Sequence, residues 1–364
     1  MKKYLLYVSQ LYSFSIVRPL QDAIIRQKGR VAWFLAKPEY NDLLKENEKA
    51  LKTVSDVINY DPCAVFVASN SVPDFFPGVK VQLFHGFNAQ KRNSSKGHFR
   101  LRGFFDLYCT QGPSTTLPFL ELEKKYKYFK VVETGWPKMD PLFAGPSQNV
   151  IDVPFPASAS ASASAFRFIE KDRRKPIVLF TSTFTPALSC AHKLYHTIAE
   201  LIDKNRWNWI ITLHPKMDKK VVLQYKNLEK KNCRFIETDD IIPLLKQADV
   251  MLSDTSSVLL EFLLQKKPVV TFRNRRPGNH LINVIDRNEI EPAIEKALKK
   301  PRGLMNSIEK YIKLIHPYDD GKSSERVLTA TDYFIDNYFG KLAEKPLNIT
   351  RRLKMRLKYH YYKW

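Results

Sequence analysis

The sequence predicts an α/β protein made of two doubly wound, Rossmann-like halves, and three observations carry that reading. Short apolar runs free of turn residues alternate with longer amphipathic runs along most of the chain, the pattern of parallel strands joined by helices. A length of 364 residues suits two domains of ordinary size. Between the halves lies Ala157 to Ala165, an alternating Ala–Ser repeat behind Pro154-Phe155-Pro156 that contains nothing able to form a core. The expected division is 1–148, a low-complexity linker or loop at 149–170, a second half at 171–330, and a final helix with a basic tail at 331–364.

In the first half, Tyr4 to Val8, Val31 to Leu35, Cys63 to Ala68, Val79 to Phe84, Phe105 to Thr110 and Phe129 to Thr134 read as strands. Val17 to Lys28, Pro38 to Val57 and Thr116 to Tyr128 read as helices. The second half repeats the pattern. Pro176 to Phe180, Trp207 to Leu213, Cys233 to Ile236, Ala248 to Leu252 and Lys267 to Phe272 are the expected strands. Helices are expected at Ala187 to Asp203, Val221 to Lys231, from Asp239 onward, from Val258 onward, and at Asp286 to Lys300 and Leu304 to Ile315. A last helix runs on to Tyr338.

At 44% hydrophobic residues the chain can bury sizeable cores, and its Tyr and Phe content argues against disorder. A formal net charge of +22 calls for a polyanionic partner. Cys63, Cys109, Cys190 and Cys233 form no CxxC pair, which fits a reducing compartment and gives no zinc signature. The apolar start is broken at Ser9-Gln10 without a cleavage site, so it reads as a first strand rather than a signal peptide. No apolar run reaches the roughly 18 residues that a membrane span needs.

Ser253, Asp254, Thr255, Ser256 and Ser257 follow a strand and open a helix. They bring hydroxyls, free N–H groups and the positive end of a helix dipole to one place, which suits a phosphate. Glu261, four residues after Ser257, projects from the same helix face and suits a ribose diol. His85 and Gly86 stand just past a strand, where open α/β sheets hold ligands, and the following Lys91 and Arg92 are cationic. Gly135-Trp136-Pro137 forms a shaped loop that presents Lys138 and Asp140. His214 and Lys216 end another strand, and Arg273 a further one. The tail from Lys341 to Trp364 carries eight basic residues against Glu344 alone, interleaved with aromatic and aliphatic side chains. That composition suits an anionic membrane surface. No helix-turn-helix, RNA-recognition or zinc pattern supports nucleic-acid binding, the reading that charge alone would suggest.

Taken together, His85-Gly86, Gly135 to Asp140, His214-Pro215, Ser253 to Ser257 and Asp320 to Arg326 resemble, in order and spacing, the CDP-glycerol glycerophosphotransferase family of teichoic-acid polymerases. The resemblance spans roughly residues 80 to 330. It implies a GT-B fold, two Rossmann-like domains facing a cleft, and no metal or other cofactor. The expected reaction moves glycerol phosphate, or a related polyol phosphate, from a CDP-activated donor to a hydroxyl of a lipid-linked or growing surface glycan. His85 and His214 would be the catalytic histidines, and His85 the base. Ser253 to Ser257, Glu261, Thr183, Lys216 and Arg273 would bind the donor; Gly86, Lys138, Asp140, Lys91 and Arg92 would face the acceptor. The place would be the cytoplasmic face of the cell membrane. The chain departs from the family at Phe84, where Trp precedes His-Gly, at Thr255, and at Ser182 to Thr185, where an arginine is missing. That last departure favours the alternative, a GT-B glycosyltransferase with a nucleotide-sugar donor in surface polysaccharide synthesis.

Overall fold

The computed structural model describes residues 1–87, 99–144 and 175–362, and these form two compact units. Unit 1 is Met1–Phe143 together with Lys313–Trp364, and unit 2 is Ala144–Ile312. The expected linker at 149–170, and Lys91 and Arg92, lie outside the described residues.

Unit 1 begins with β1 (Lys3–Val8), α1 (Ser13–Arg26), β2 (Arg30–Leu35), β3 (Ala50–Leu51), α2 (Val54–Tyr60), β4 (Ala64–Val67) and β5 (Val79–Gln82). It continues with β6 (Leu107–Thr110), α3 (Pro113–Tyr126), β7 (Lys130–Glu133) and α4 (Asp140–Phe143). All seven strands are parallel, in the order β3-β2-β1-β4-β5-β6-β7. A sheet covered on both faces demands strands with no polar side, and β4 and β6 are buried at every position. The helix expected over Pro38 to Val57 is instead a 3-10 turn (Pro38–Leu43), β3 and α2. Glu48 explains the break. Its buried carboxylate accepts from Arg18 and from the Lys45 N–H, tying the segment down in a non-helical path. Thr53 and Asp56 then cap α2 reciprocally.

Unit 2 runs β8 (Ile177–Ser182), α5 (Ala191–Asp203), β9 (Asn208–Leu213), α6 (Lys219–Lys226), β10 (Cys233–Phe235), α7 (Ile242–Gln247) and β11 (Val250–Ser253). Then come α8 (Val258–Leu263), β12 (Val269–Phe272), β13 (Ile282–Val284), α9 (Ile290–Leu298) and α10 (Arg302–Ile315). Its six parallel strands are ordered β10-β9-β8-β11-β12-β13. β13 went unread because its three residues are too few for a period to show.

The chain returns to unit 1 at Lys313, near the end of α10, and continues there as α11 (Ser323–Asn337) and α12 (Ile349–Lys358). The expectation that 171–330 forms one domain therefore differs from the observed division. Periodicity tells which face of a helix is buried but not which sheet buries it. Tyr4 fixes α11 by donating its hydroxyl to Asp332 at 2.9 Å. The tail is docked rather than free: Tyr359 packs on the unit 1 core, and its hydroxyl bonds that of Tyr7 at 2.8 Å. Among the described residues no helix is long and apolar enough to cross a membrane.

Candidate functional site

In unit 2 the strand order reverses between β8 and β11, the switch point where open α/β sheets bind ligands beyond the strands' carboxyl ends. Ser253 to Ser257 leave β11 at that point. The turn is held by Asp254, whose side chain is fully buried. Its carboxylate accepts the Ser182 hydroxyl at 2.6 Å, the Thr183 N–H at 3.0 Å and the Cys190 N–H at 3.0 Å. Burial raises its pKa, and those hydrogen bonds pull it back down. Ser253, also fully buried, bonds the Thr181 hydroxyl at 2.9 Å. Ser253 and Asp254 thus tie β8 to β11 instead of facing a ligand, a correction to the expected donor set: neither side chain reaches solvent. Thr183 is close by, with its N–H committed to Asp254.

Ser256 and Ser257 are only partly buried, at the start of α8. The first N–H groups of any helix have no partner inside it, so hydroxyls and amides coincide here. Glu261 lies one turn on, buried among Leu259, Leu260 and Phe262. His214 ends β9 and is exposed. Its Nδ1 accepts the Lys216 N–H at 3.0 Å, which in the neutral ring places the proton on Nε2. The ring packs on Phe184 at 4.4 Å, with the Lys216 ammonium 5.8 Å from the same phenyl. Arg273 adopts φ 52° and donates Nε to the Ile285 carbonyl, so part of its guanidinium is committed.

Sequence reasoning missed the loop after β12. The Asn274 side chain donates to the Asp254 carbonyl at 3.2 Å, and the Arg275 N–H donates to Thr255 Oγ1 at 3.1 Å. Asn283 on β13 holds this loop by accepting from Asn274 N–H and from Thr271. The run Arg273 to Arg276 signalled basicity, but nothing in it signalled that Asn274 reaches back to β11.

In unit 1, His85 stands exposed beyond β5. Phe84 before it sits in the left-handed region at φ 59°, a strained conformation worth about 1–3 kcal/mol for a bulky residue. Gly86 has open space where a Cβ would point. Tyr12, from the loop after β1, packs on His85 at 5.2 Å. Seventy-odd residues separate the two, so no local pattern announces the pair.

Asp140 does not face an acceptor, a second correction. It is buried, and its two oxygens accept the Ser323 and Ser324 N–H groups at 2.7 Å each, capping α11. Lys138 lies over the Trp136 ring. Arg326 completes the lock, pairing with both oxygens of Asp320 and donating to the Thr134 carbonyl at 2.8 Å. Two motifs some 180 residues apart thus serve one another. At Gly135 (φ 79°) a Cβ would meet Ser323 Oγ at 2.5 Å, so only glycine fits beside that cap. Asp140→Ala should lower stability by about 2 kcal/mol, read as a shifted urea midpoint. An unmoved midpoint would mean α11 needs no cap.

Among the described residues no group of three or more His, Cys, Asp and Glu side chains is placed to hold a metal ion.

A family model for UDP-N-acetylglucosamine 2-epimerase matches residues 127–331. No curated protein matches the chain by sequence. Among solved structures, S. aureus MnaA with UDP is 16% identical at a TM-score of 0.62, over 94% of this chain and 100% of that one. The Neisseria meningitidis UDP-GlcNAc 2-epimerase bound to UDP-GlcNAc is 14% identical at 0.59, over 91% and 99%. The wall teichoic acid polymerase TagF is 14% identical at 0.59, over 93% and 90%. At such identities the likeness concerns the fold, two Rossmann-like units of GT-B type. The family match overturns the resemblance to the CDP-glycerol glycerophosphotransferases, and with it the glycerophosphate-transfer activity expected from that resemblance. The motifs misled because each is short and local, and a polar turn between a strand and a helix, or a capped helix, can arise in any α/β protein.

Proposed function

The chain belongs to the UDP-N-acetylglucosamine 2-epimerase family, and from that premise we propose that it acts on a UDP-linked N-acetylhexosamine, interconverting the two epimers at C2. The observation that supports this most is the row of polar groups at the switch point of unit 2. In this reading Ser256, Ser257 and the first amides of α8 hold the diphosphate, with Lys216 and Arg275 offsetting its charge and His214 donating from Nε2. Glu261 is the candidate for the ribose. Inversion at C2 takes a proton from one face of the carbon and returns one to the other. The electron pair freed at C2 forms a C1–C2 double bond as the C1–oxygen bond to the diphosphate breaks. Protonation of the opposite face accompanies re-attachment of the diphosphate at C1, so stabilising negative charge on the leaving diphosphate lowers the barrier. His85, with Tyr12 against it, is the proposed proton-transfer group on unit 1.

One observation favours a second reading, transfer of the sugar to an acceptor hydroxyl by the same cleavage. Inversion needs two proton-transfer groups, and three carboxylates of unit 1 are engaged elsewhere. Asp74 pairs with Arg356, Glu133 accepts from Thr116 and Tyr318, and Asp140 caps α11. Transfer needs only one base.

Incubation with UDP-GlcNAc, followed by proton NMR, separates the readings. A second UDP-linked anomeric signal is the expected result. UDP release that depends on an added glycan acceptor would establish transfer instead, and no change with any UDP-sugar would overturn both. His214→Ala should weaken UDP binding about tenfold, roughly 1.4 kcal/mol, by calorimetry. Unaltered affinity would remove His214 from the phosphate seat.

A further inference from the structure

Helix α12 is amphipathic the wrong way round for a helix packed on a soluble domain. Its inward face is polar and aromatic. Arg356 is buried and pairs with Asp74 at 2.9 Å, near the rings of Phe75 and Tyr361. At the other end, Asn348 and Arg351 donate to the Arg102 carbonyl at 2.9 and 3.2 Å. Tyr361 then stacks on Phe75 at 4.4 Å. These contacts hold the helix on unit 1 without using Ile349, Leu353 or Leu357; of its apolar residues only Met355 is half-buried.

Those aliphatic residues face outward. Ile349, Leu353 and Leu357 follow one another at four-residue steps, so they form a single stripe, and they are 61, 44 and 51% exposed. Leu347 before the helix and Tyr362 after it extend the apolar surface, at 70 and 62% exposed. Lys354 and Lys358 are exposed in the same two turns. An apolar stripe normally faces the core; here the core-facing positions are filled by a buried ion pair and tyrosines.

We propose that α12 is a docking surface for an anionic lipid bilayer, with Ile349, Leu353 and Leu357 entering the acyl boundary and Lys354 and Lys358 meeting the headgroups. Charge complementarity selects the partner: the whole chain carries +22, and the tail is basic apart from Glu344. Geometry selects the mode. Ten residues make a helix of about 15 Å, half the thickness of a hydrocarbon core, so it lies in the interface and does not span. The sequence pointed to the tail's interleaved aliphatic and aromatic residues together; of these, Tyr359 and Tyr361 are used in docking the helix, and the aliphatic stripe is left to face outward. The proposal is independent of whether the enzyme epimerises or transfers a sugar.

The test is co-sedimentation of the full chain with phosphatidylcholine vesicles with and without phosphatidylglycerol. Binding to the anionic vesicles is expected, with little to the neutral ones. Leu353→Gln with Leu357→Gln, which leaves the charge unchanged, should reduce it about tenfold or more. Lys354→Glu with Lys358→Glu should weaken it by a similar factor. Circular dichroism and UDP affinity should stay as in the parent chain, which separates lost docking from lost folding. Three results would overturn the proposal: equal binding to neutral vesicles, full binding by the glutamine variant, or displacement from the vesicles by DNA or RNA at physiological salt.

Discussion

Asp254→Ala is expected to unlock unit 2, lowering its stability by roughly 3–5 kcal/mol, the range for removing one partner of a buried charged network. The carboxylate is fully buried and takes three donors from the loop after β8 and the start of α5. Without it, the Thr183 and Cys190 N–H groups are stranded away from water. Asp254→Asn should cost less, about 1–3 kcal/mol. The amide keeps one oxygen for Thr183, and the Ser182 hydroxyl can reverse to accept from the new NH2, but Cys190 N–H loses its acceptor. Because Ser256 and Ser257 hang on the same turn, UDP binding should fall in the order parent, Asn, Ala. Denaturant titration gives the stabilities and calorimetry the binding. A normal denaturation midpoint in Asp254→Ala would show that the turn is held by something other than this carboxylate.

That lock also marks how far the sequence could be read. The strand–turn–helix at Val250 to Leu263 was legible because an apolar strand, a polar cluster and an apolar helix are all local patterns. Its position at a switch point was not legible, because alternation of strands and helices does not give the order of the strands in the sheet. Which of its polar residues face a ligand was not legible. Ser253 and Asp254 belong to the same compositional cluster as Ser256 and Ser257, yet hydrogen bonds from residues some 70 positions earlier turn the first two inward. The same holds for Asp140, which looks like a loop carboxylate until Ser323 and Ser324 arrive from 180 residues away to be capped. Long-range pairing decides a polar residue's role, and one sequence carries no record of the pair. Glycines record it indirectly. At Gly112 a Cβ would meet the Ile315 carbonyl at 2.5 Å, so its missing side chain marks where the returning chain passes.

The returning chain carries a large pH effect in the acid range. His316, just after α10, is 1% exposed, and its Nε2 accepts the Trp136 N–H at 3.0 Å. Burial pushes its pKa down from an ordinary 6.5 to about 4, with the nearby Arg326 charge acting in the same direction. A folded pKa below the unfolded one means that the unfolded chain binds the proton first. The contribution to stability is therefore complete above pH 6.5 and is lost as pH falls towards about 4. Its size is about 3 kcal/mol, since every pH unit separating the folded and unfolded pKa values is worth about 1.4 kcal/mol. His280, stacked on Tyr311 at 3.6 Å, is also lowered to about 4 by burial and adds a second proton over the same window. Asp140 and Asp254 act with the opposite sign. Their pKa values are raised by burial, so their contribution is present at low pH and declines as pH rises above 3.8. His316→Gln isolates the histidine, because the Gln oxygen can still accept from Trp136. Its unfolding free energy, followed by urea titration, should depend on pH less steeply than the parent's between 6.5 and 4, by one proton. Parallel curves for the two proteins would mean that His316 is already charged in the folded state, with the Trp136 N–H bound elsewhere.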